Sequence, residues 1–241
     1  RYRELVKNEQ NMEVMPLKAM YPQGGEKVLI YHVTGEKVPE GKLPLDVGAV
    51  VLNCTTISSI ARYCRTGLPL VKKCVTVDGS AVKNPMNVLV PIGMRMKDVF
   101  EATGGFKEEP KMVLYGGPMM GIAVPDLEQP ILKNTNAILA FGEAEATPPE
   151  PTACIKCGKC IAHCPLSLMP CEMETAYKKG NIERLMHLKV NLCMECGCCS
   201  FICPAHRPLV QTNKLAKAQV MAYKNALKAK AEAEKQKEAA K

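Results

Sequence analysis

The chain has 241 residues, is 47% hydrophobic and 23% charged, and carries a formal charge of +8 and 13 cysteines. At about 100–200 residues per domain this length holds one or two domains, and the hydrophobic share excludes disorder throughout. No stretch approaches the ~18 apolar residues of a membrane span, since the longest runs, 47–52 and 137–141, are strand-sized.

The charge is uneven. Residues 211–241 hold eight Lys and three Glu, so +5 sits there and +3 in the first 210 residues. The N-terminus, from Arg1, shows neither an initiating Met nor a secretory leader, and reads as the middle of a longer protein. Ten of the 13 cysteines lie between Cys154 and Cys203. An odd, clustered count without a secretory signal argues against disulfides and for metal.

In chain order, residues 27–31 and 49–52 are short apolar runs expected as strands, punctuated by Gly24-Gly25 and Gly48. They suggest the tail of an α/β layer. Residues 71–77 and 87–91 read as strands either side of an Asp78-Gly79 turn. Residues 96–103 suit a short helix closed by Gly104-Gly105, and 111–115 another strand. Strands, a helix and further strands make a small α+β module. Residues 146–151 contain three prolines and form a stiff linker. Beyond the cysteine block, Leu215, Ala218, Ala222, Ala226 and Leu227 fall near helical spacing. This stripe is expected to dock on a partner or an anionic membrane face, with a solvated helix after Lys228.

The cysteines carry the chemistry. Cys154-x2-Cys157-x2-Cys160-x3-Cys164-Pro165 recurs 39 residues on as Cys193-x2-Cys196-x2-Cys199-x3-Cys203-Pro204. This is the bacterial ferredoxin run for [4Fe–4S] clusters, in which the fourth cysteine serves the other cluster. The assignment is Cys154, Cys157, Cys160 and Cys203 to one cluster, and Cys193, Cys196, Cys199 and Cys164 to the other. Zinc would explain one Cys-x2-Cys pair, but not triplets followed by Cys-Pro, twice. Gly158 and Gly197 are expected to let backbone amides approach the sulfides. Each oxidised cluster with its four thiolates is formally about −2, which would bring the loaded chain to about +4.

Five cysteines remain. Spacing prefers Cys199 over Cys198 as the third ligand, and Cys171, Cys54, Cys64 and Cys74 are expected as packing residues. His163 and His206 are expected at the surface or in caps, and the 14 Met as core filler. A nucleic-acid-binding reading of the basic charge is disfavoured by the absence of Trp and the presence of only four Phe.

Gly116-Gly117-Pro118-Met119-Met120-Gly121 lacks the Lys-Ser/Thr of a phosphate loop. Together with the doubled cysteine motif, Tyr21-Pro22-Gln23-Gly24-Gly25-Glu26-Lys27, Leu68-Pro69 and Asp78-Gly79, it resembles the C subunit of the Rnf electron transport complex over about residues 16–210. The resemblance implies an α+β fold. Its parts are the C-terminal part of an FMN/NADH-binding-type α/β domain (1–66), a β-grasp (SLBB) module (67–145), the linker (146–151), a ferredoxin-like two-[4Fe–4S] α-helical domain (152–210) and a Lys/Ala-rich tail (211–241).

It further implies FMN bordered by Gly24, Gly25, Glu26, Lys27, Asn53 and Thr55, with NADH met by a part preceding residue 1. The whole would be a peripheral subunit on the cytoplasmic side of the bacterial inner membrane. It would relay electrons to partner subunits of a ferredoxin:NAD+ oxidoreductase that moves Na+ or H+. A rival resemblance is to the cobalamin reductase of bacterial microcompartments, which shares the β-grasp and ferredoxin plan.

Overall fold

The computed structural model describes residues 1–239, which fall into two units, Arg1–Cys54 and Thr55–Lys241. In the first, helix α1 (Tyr2–Leu5), helix α2 (Glu26–Thr34) and a 3-10 turn at Pro44–Val47 are the regular elements, and no strand occurs among its described residues. Residues 27–31 are therefore helical, contrary to the strand expectation. A short apolar run does not distinguish the two by period alone. The caps decide. Gly25 is extended at the N-cap, Gly35 is left-handed at the C-cap, and Glu26 complements the N-terminal end of the helix dipole. Val28 and Ile30 are buried. Residues 49–52 are irregular, with Val50 and Leu52 exposed, because a strand needs a neighbouring ladder for its amides and this unit's described residues supply none.

The second unit opens on α3 (Cys54–Thr66), which buries nothing. A mixed sheet follows, built from β1 (Lys72–Asp78), β2 (Met86–Pro91), β3 (Met112–Tyr115), β4 (Ile122–Ala123) and β5 (Ala137–Phe141), with α4 (Met96–Ala102) inserted after β2. The strand order is β2-β1-β5-β3-β4. β1 pairs parallel to β5, with Val77 opposite Ile138, and the other neighbours are antiparallel. Alternation along β1 turns Val75 and Val77 inward, and α4 lays Met96, Val99 and Phe100 into the same core. Gly105 N–H bonds back to Phe100 O at 2.8 Å and closes α4. β1, β2, α4, β3 and β5 lie where the sequence pattern put them, whereas the two-residue β4 has no counterpart in that pattern.

After α5 (Glu143–Ala146), the cysteine block runs through α6 (Lys159–Ala162), α7 (Pro170–Lys178), α8 (Ile182–His187), α9 (Cys198–Phe201) and α10 (Leu209–Ala239). Its core joins Leu168, Met173, Ala176, Leu185, Val190, Ala216 and Val220. α10 thus packs through Leu209, Asn213, Ala216 and Val220, a helical i, i+4, i+7, i+11 face. The stripe expected from spacing points elsewhere: Leu215 and Leu227 are 47% and 48% exposed. Leu209, anchored beside Cys160 and Cys199, sets the rotation of the helix, which spacing of small residues leaves open. Met96 and Met173 fill cores, but Met12, Met20, Met120 and Met221 are exposed, so methionine is core filler only in part. No helix among the described residues is long and apolar enough to cross a membrane.

Candidate metal centres

The 39-residue recurrence of cysteines is also a recurrence of backbone. Lys156 and Glu195 (φ 55° and 60°), Gly158 and Gly197 (73° and 84°), and Ser167 and His206 (53° and 50°) are left-handed pairs, each 39 residues apart. Gly158 caps α6 and Gly197 caps α9. The third cysteine of each run, Cys160 or Cys199, therefore rides on a four-residue helix. That helix closes through Cys164 N–H to Ile161 O and Cys203 N–H to Ser200 O, both within 3.2 Å. Holding a non-glycine residue left-handed costs about 1–2 kcal/mol, so four such residues in matched positions mark a local geometry the surroundings enforce.

The two runs interleave. Cys164, Cys193, Cys196 and Cys199 line one hollow, together with Leu168, Val210 and Asn213. Cys154, Cys157, Cys160 and Cys203 line the other, with Cys171, Glu174 and Arg207. Each hollow meets three thiols of one run and the Cys-Pro thiol of the other. Among the described residues, no three His, Cys, Asp or Glu side chains converge on a point where one ion could sit. A [4Fe–4S] cubane takes one soft thiolate at each iron corner. Each hollow is lined by four thiols, the number of ligands a cubane takes.

The hollows differ in exposure. Cys160, Cys196 and Cys199 are buried, Cys154 and Cys157 exposed, and Cys164, Cys193 and Cys203 in between. Burial pushes the Cys160 thiol up to about 11 and the Cys199 thiol up to about 12. Burial raises Cys193 and Cys196 as well. Free, these sulfurs hold their protons at neutral pH, and a metal has to displace them to bind.

Polar clamps position both hollows. Around the hollow of Cys154, Arg207 grips Glu174 with two bonds of 2.6 and 2.7 Å and donates to Thr152 O at 2.9 Å. Lys178 adds a contact of 2.9 Å. Burial alone would push the Glu174 carboxyl up, but Arg207 and Lys178 together outweigh it and hold it below the usual value. The clamp ties α7 to the segments just before Cys154 and just after Cys203. Around the hollow of Cys193, α10 supplies Lys217, whose Nζ donates to Cys193 O at 3.0 Å and Glu195 Oε1 at 2.5 Å. Asn213 Nδ2 donates to Cys193 Sγ at 3.8 Å, and Leu168 N–H to Cys164 Sγ at 3.3 Å.

Sequence reasoning missed Glu174, Arg207, Asn213 and Lys217. For Asn213 a signal existed: it is the polar break in the apolar series Leu209, Ala216, Val220, with Lys217 one turn on.

Gly197 is required sterically as well as by its φ. A Cβ there would stand 2.6 Å from Met119 O, so the Gly116-to-Gly121 loop of the sheet module seats directly on the second cysteine loop. That loop is itself tight, with Gly121 N–H bonded to Gly117 O at 2.7 Å. At Gly158 the space is open.

Cys198 and Cys171 are half-buried, each lining one hollow. Cys54, Cys64 and Cys74 are exposed, against the packing expectation. α3 buries nothing, and Cys74 lies on the outward phase of β1, between Lys73 and Val75, which are both buried. His163 and His206 are exposed, and His163 Nδ1 pairs with Lys159 O at 3.0 Å as a cap.

Of the residues implied for the flavin, Gly24 is an exposed turn residue, Gly25 the N-cap of α2, and Glu26 and Lys27 its first turn. The pair opens a helix, not a strand. Asn53 directly precedes α3 and Thr55 is in its exposed first turn.

Comparison with known proteins adds identity to this geometry. Residues 1–62 match the family model of the Nuo51 FMN-binding domain, and residues 74–123 that of the SLBB domain. The chain is 40% identical over 217 residues to the C subunit of the Na(+)-translocating ferredoxin:NAD(+) oxidoreductase complex of Acetobacterium woodii, covering 90% of this chain and 49% of that one. It is 44% identical over 159 residues to the proton-translocating counterpart of Clostridium ljungdahlii, covering 66% and 35%. Identity to the C subunit of the ion-translocating oxidoreductase complex of Rhodobacter capsulatus is 36% over 200 residues, covering 83% and 38%. The chain thus spans from about a third to about half of the length of these relatives. The resemblance read from the motifs is borne out: over up to 90% of its length, the chain is a homologue of the C subunit of the ion-translocating, Rnf-type oxidoreductase complexes.

Proposed function

We propose that the chain is the iron–sulfur electron-transfer portion of such a subunit, relaying electrons between flavin and NADH on one side and partner subunits on the other. Its domain plan follows the sequence reading, with a flavin-domain segment over 1–66, the sheet module over 67–145, the linker over 146–151, a ferredoxin-like block over 152–210 and a tail over 211–241. Cys154, Cys157, Cys160 and Cys203 hold one [4Fe–4S] cluster, and Cys193, Cys196, Cys199 and Cys164 the other. Bound there, the clusters supply one-electron transfer at potentials set by their surroundings.

The chain's own residues orient the thiolates through the two left-handed loops, exclude water around Cys160 and Cys199, and brace the loops through Glu174, Arg207 and Lys217. Gly24, Gly25, Glu26, Lys27, Asn53 and Thr55 border an FMN, supported by the flavin-domain match, and NADH is met by parts of the protein outside these residues. The assembly is peripheral, on the cytoplasmic side of the membrane, and coupled to Na+ or H+ movement.

One observation carries this reading, the crossed lining of the two hollows. Its test is single substitution after anaerobic reconstitution. Cys164→Ala and Cys193→Ala should abolish the same paramagnetic signal, and Cys203→Ala the other, each leaving roughly half the iron. Uncrossed loss, with Cys164→Ala removing the signal that Cys154→Ala removes, overturns the ligand assignment.

A further inference from the structure

Asn213 is the most deeply buried polar residue beside either hollow, at 1% exposure, on the packed face of α10. Its amide lines the hollow of Cys193, and Nδ2 donates to Cys193 Sγ, while Oδ1 has no hydrogen-bond partner among the described residues. A buried amide with an unmet acceptor costs free energy. A plain apolar residue would continue the series Leu209, Ala216, Val220 without that cost.

What the amide does is place an N–H on one particular sulfur. Lys217, one turn further, holds the backbone of the same cysteine and fixes Glu195 beside it. The side-chain amide occurs on one half of the repeat, whereas in the other hollow Cys160 meets the thiol and the backbone N–H of Cys171. Cys154, the residue 39 positions before Cys193, is exposed, and the clamp on its side of the repeat, Glu174 with Arg207, closes on carboxylate and backbone.

A donor to a ligating sulfur withdraws electron density and stabilises the reduced, more negative state of a cluster over the oxidised one. Resting on the two-cluster reading above, we infer that Asn213 is a positioning residue that raises the reduction potential of the cluster held by Cys193 relative to its neighbour. The two nearly repeated sites are thereby made unequal, which gives electron flow between them a direction.

The test is a redox titration of the reconstituted full-length protein, followed by EPR, on the wild type and on Asn213→Leu, which matches the bulk and removes the donor. The expected result is unchanged iron content, a shift of one cluster's midpoint to lower potential, and no shift of the other. Two unmoved potentials, or an equal shift of both, would overturn the inference. Should Asn213→Leu lose half its iron, Asn213→Ala, which adds neither bulk nor charge, replaces it. Its methyl group donates nothing, so an unmoved potential there overturns the inference and a lowered one supports it. A wild type that takes up no iron, by contrast, sinks the underlying two-cluster reading together with the inference.

Discussion

Glu174 shows how single residues hold this block together. Its carboxylate is 3% exposed, on α7, and is satisfied by a bidentate guanidinium and an ammonium. Removing one partner of a buried pair costs about 3–5 kcal/mol, because the other charge is left uncompensated. Glu174→Gln keeps one accepting oxygen, so about 3 kcal/mol is expected in denaturant unfolding of the cysteine block. The pH dependence has a definite sign. The folded carboxyl lies below its ordinary value of 4.5, so its contribution is complete above that value and is lost as pH falls through the lower folded one. The wild-type block should therefore weaken in acid more steeply than Glu174→Gln. Parallel acid limbs for the two proteins would contradict the clamp.

Among elements, the two cysteine loops share a backbone but not an environment. Gly197→Ala has to place a side chain at positive φ against the Met119 carbonyl, whereas Gly158→Ala meets open space. Strain alone costs about 1–2 kcal/mol at either site. Gly197→Ala should add the displacement of the Gly116-to-Gly121 loop, and so be the more damaging by thermal unfolding. Equal effects would mean that the loop contact carries no energy.

Much of this was legible in the residues. The cysteine recurrence of 39 residues, strands β1, β2, β3 and β5, and the closure of α4 by Gly104-Gly105 follow from local pattern. Helix α2 was not, since the short run Val28 to Tyr31 suits either period and the deciding caps at Gly25 and Gly35 lie outside it. The packed face of α10 was not either. Ala-rich spacing permits several rotations, and Leu209 chooses one by a contact that only the fold supplies. The long-range bonds of the polar clamps, such as Lys217 with Glu195 and Arg207 with Glu174 and Thr152, join residues 22, 33 and 55 positions apart, beyond the reach of any local pattern.

For the whole molecule, charge and metal are linked. The +8 of the bare chain would fall to about +4 with two oxidised clusters in place, and +5 of the bare charge sits in residues 211–241. With both clusters bound, residues 1–210 would be close to neutral and the lysine-rich tail would carry most of the positive charge. Everything proposed for it depends on the eight crossed thiols being iron ligands. The most direct measurement is iron and zinc quantification with EPR after anaerobic reconstitution and reduction. The account predicts about eight irons per chain and two interacting paramagnetic signals. Zinc in place of iron, with no signal on reduction, would contradict it.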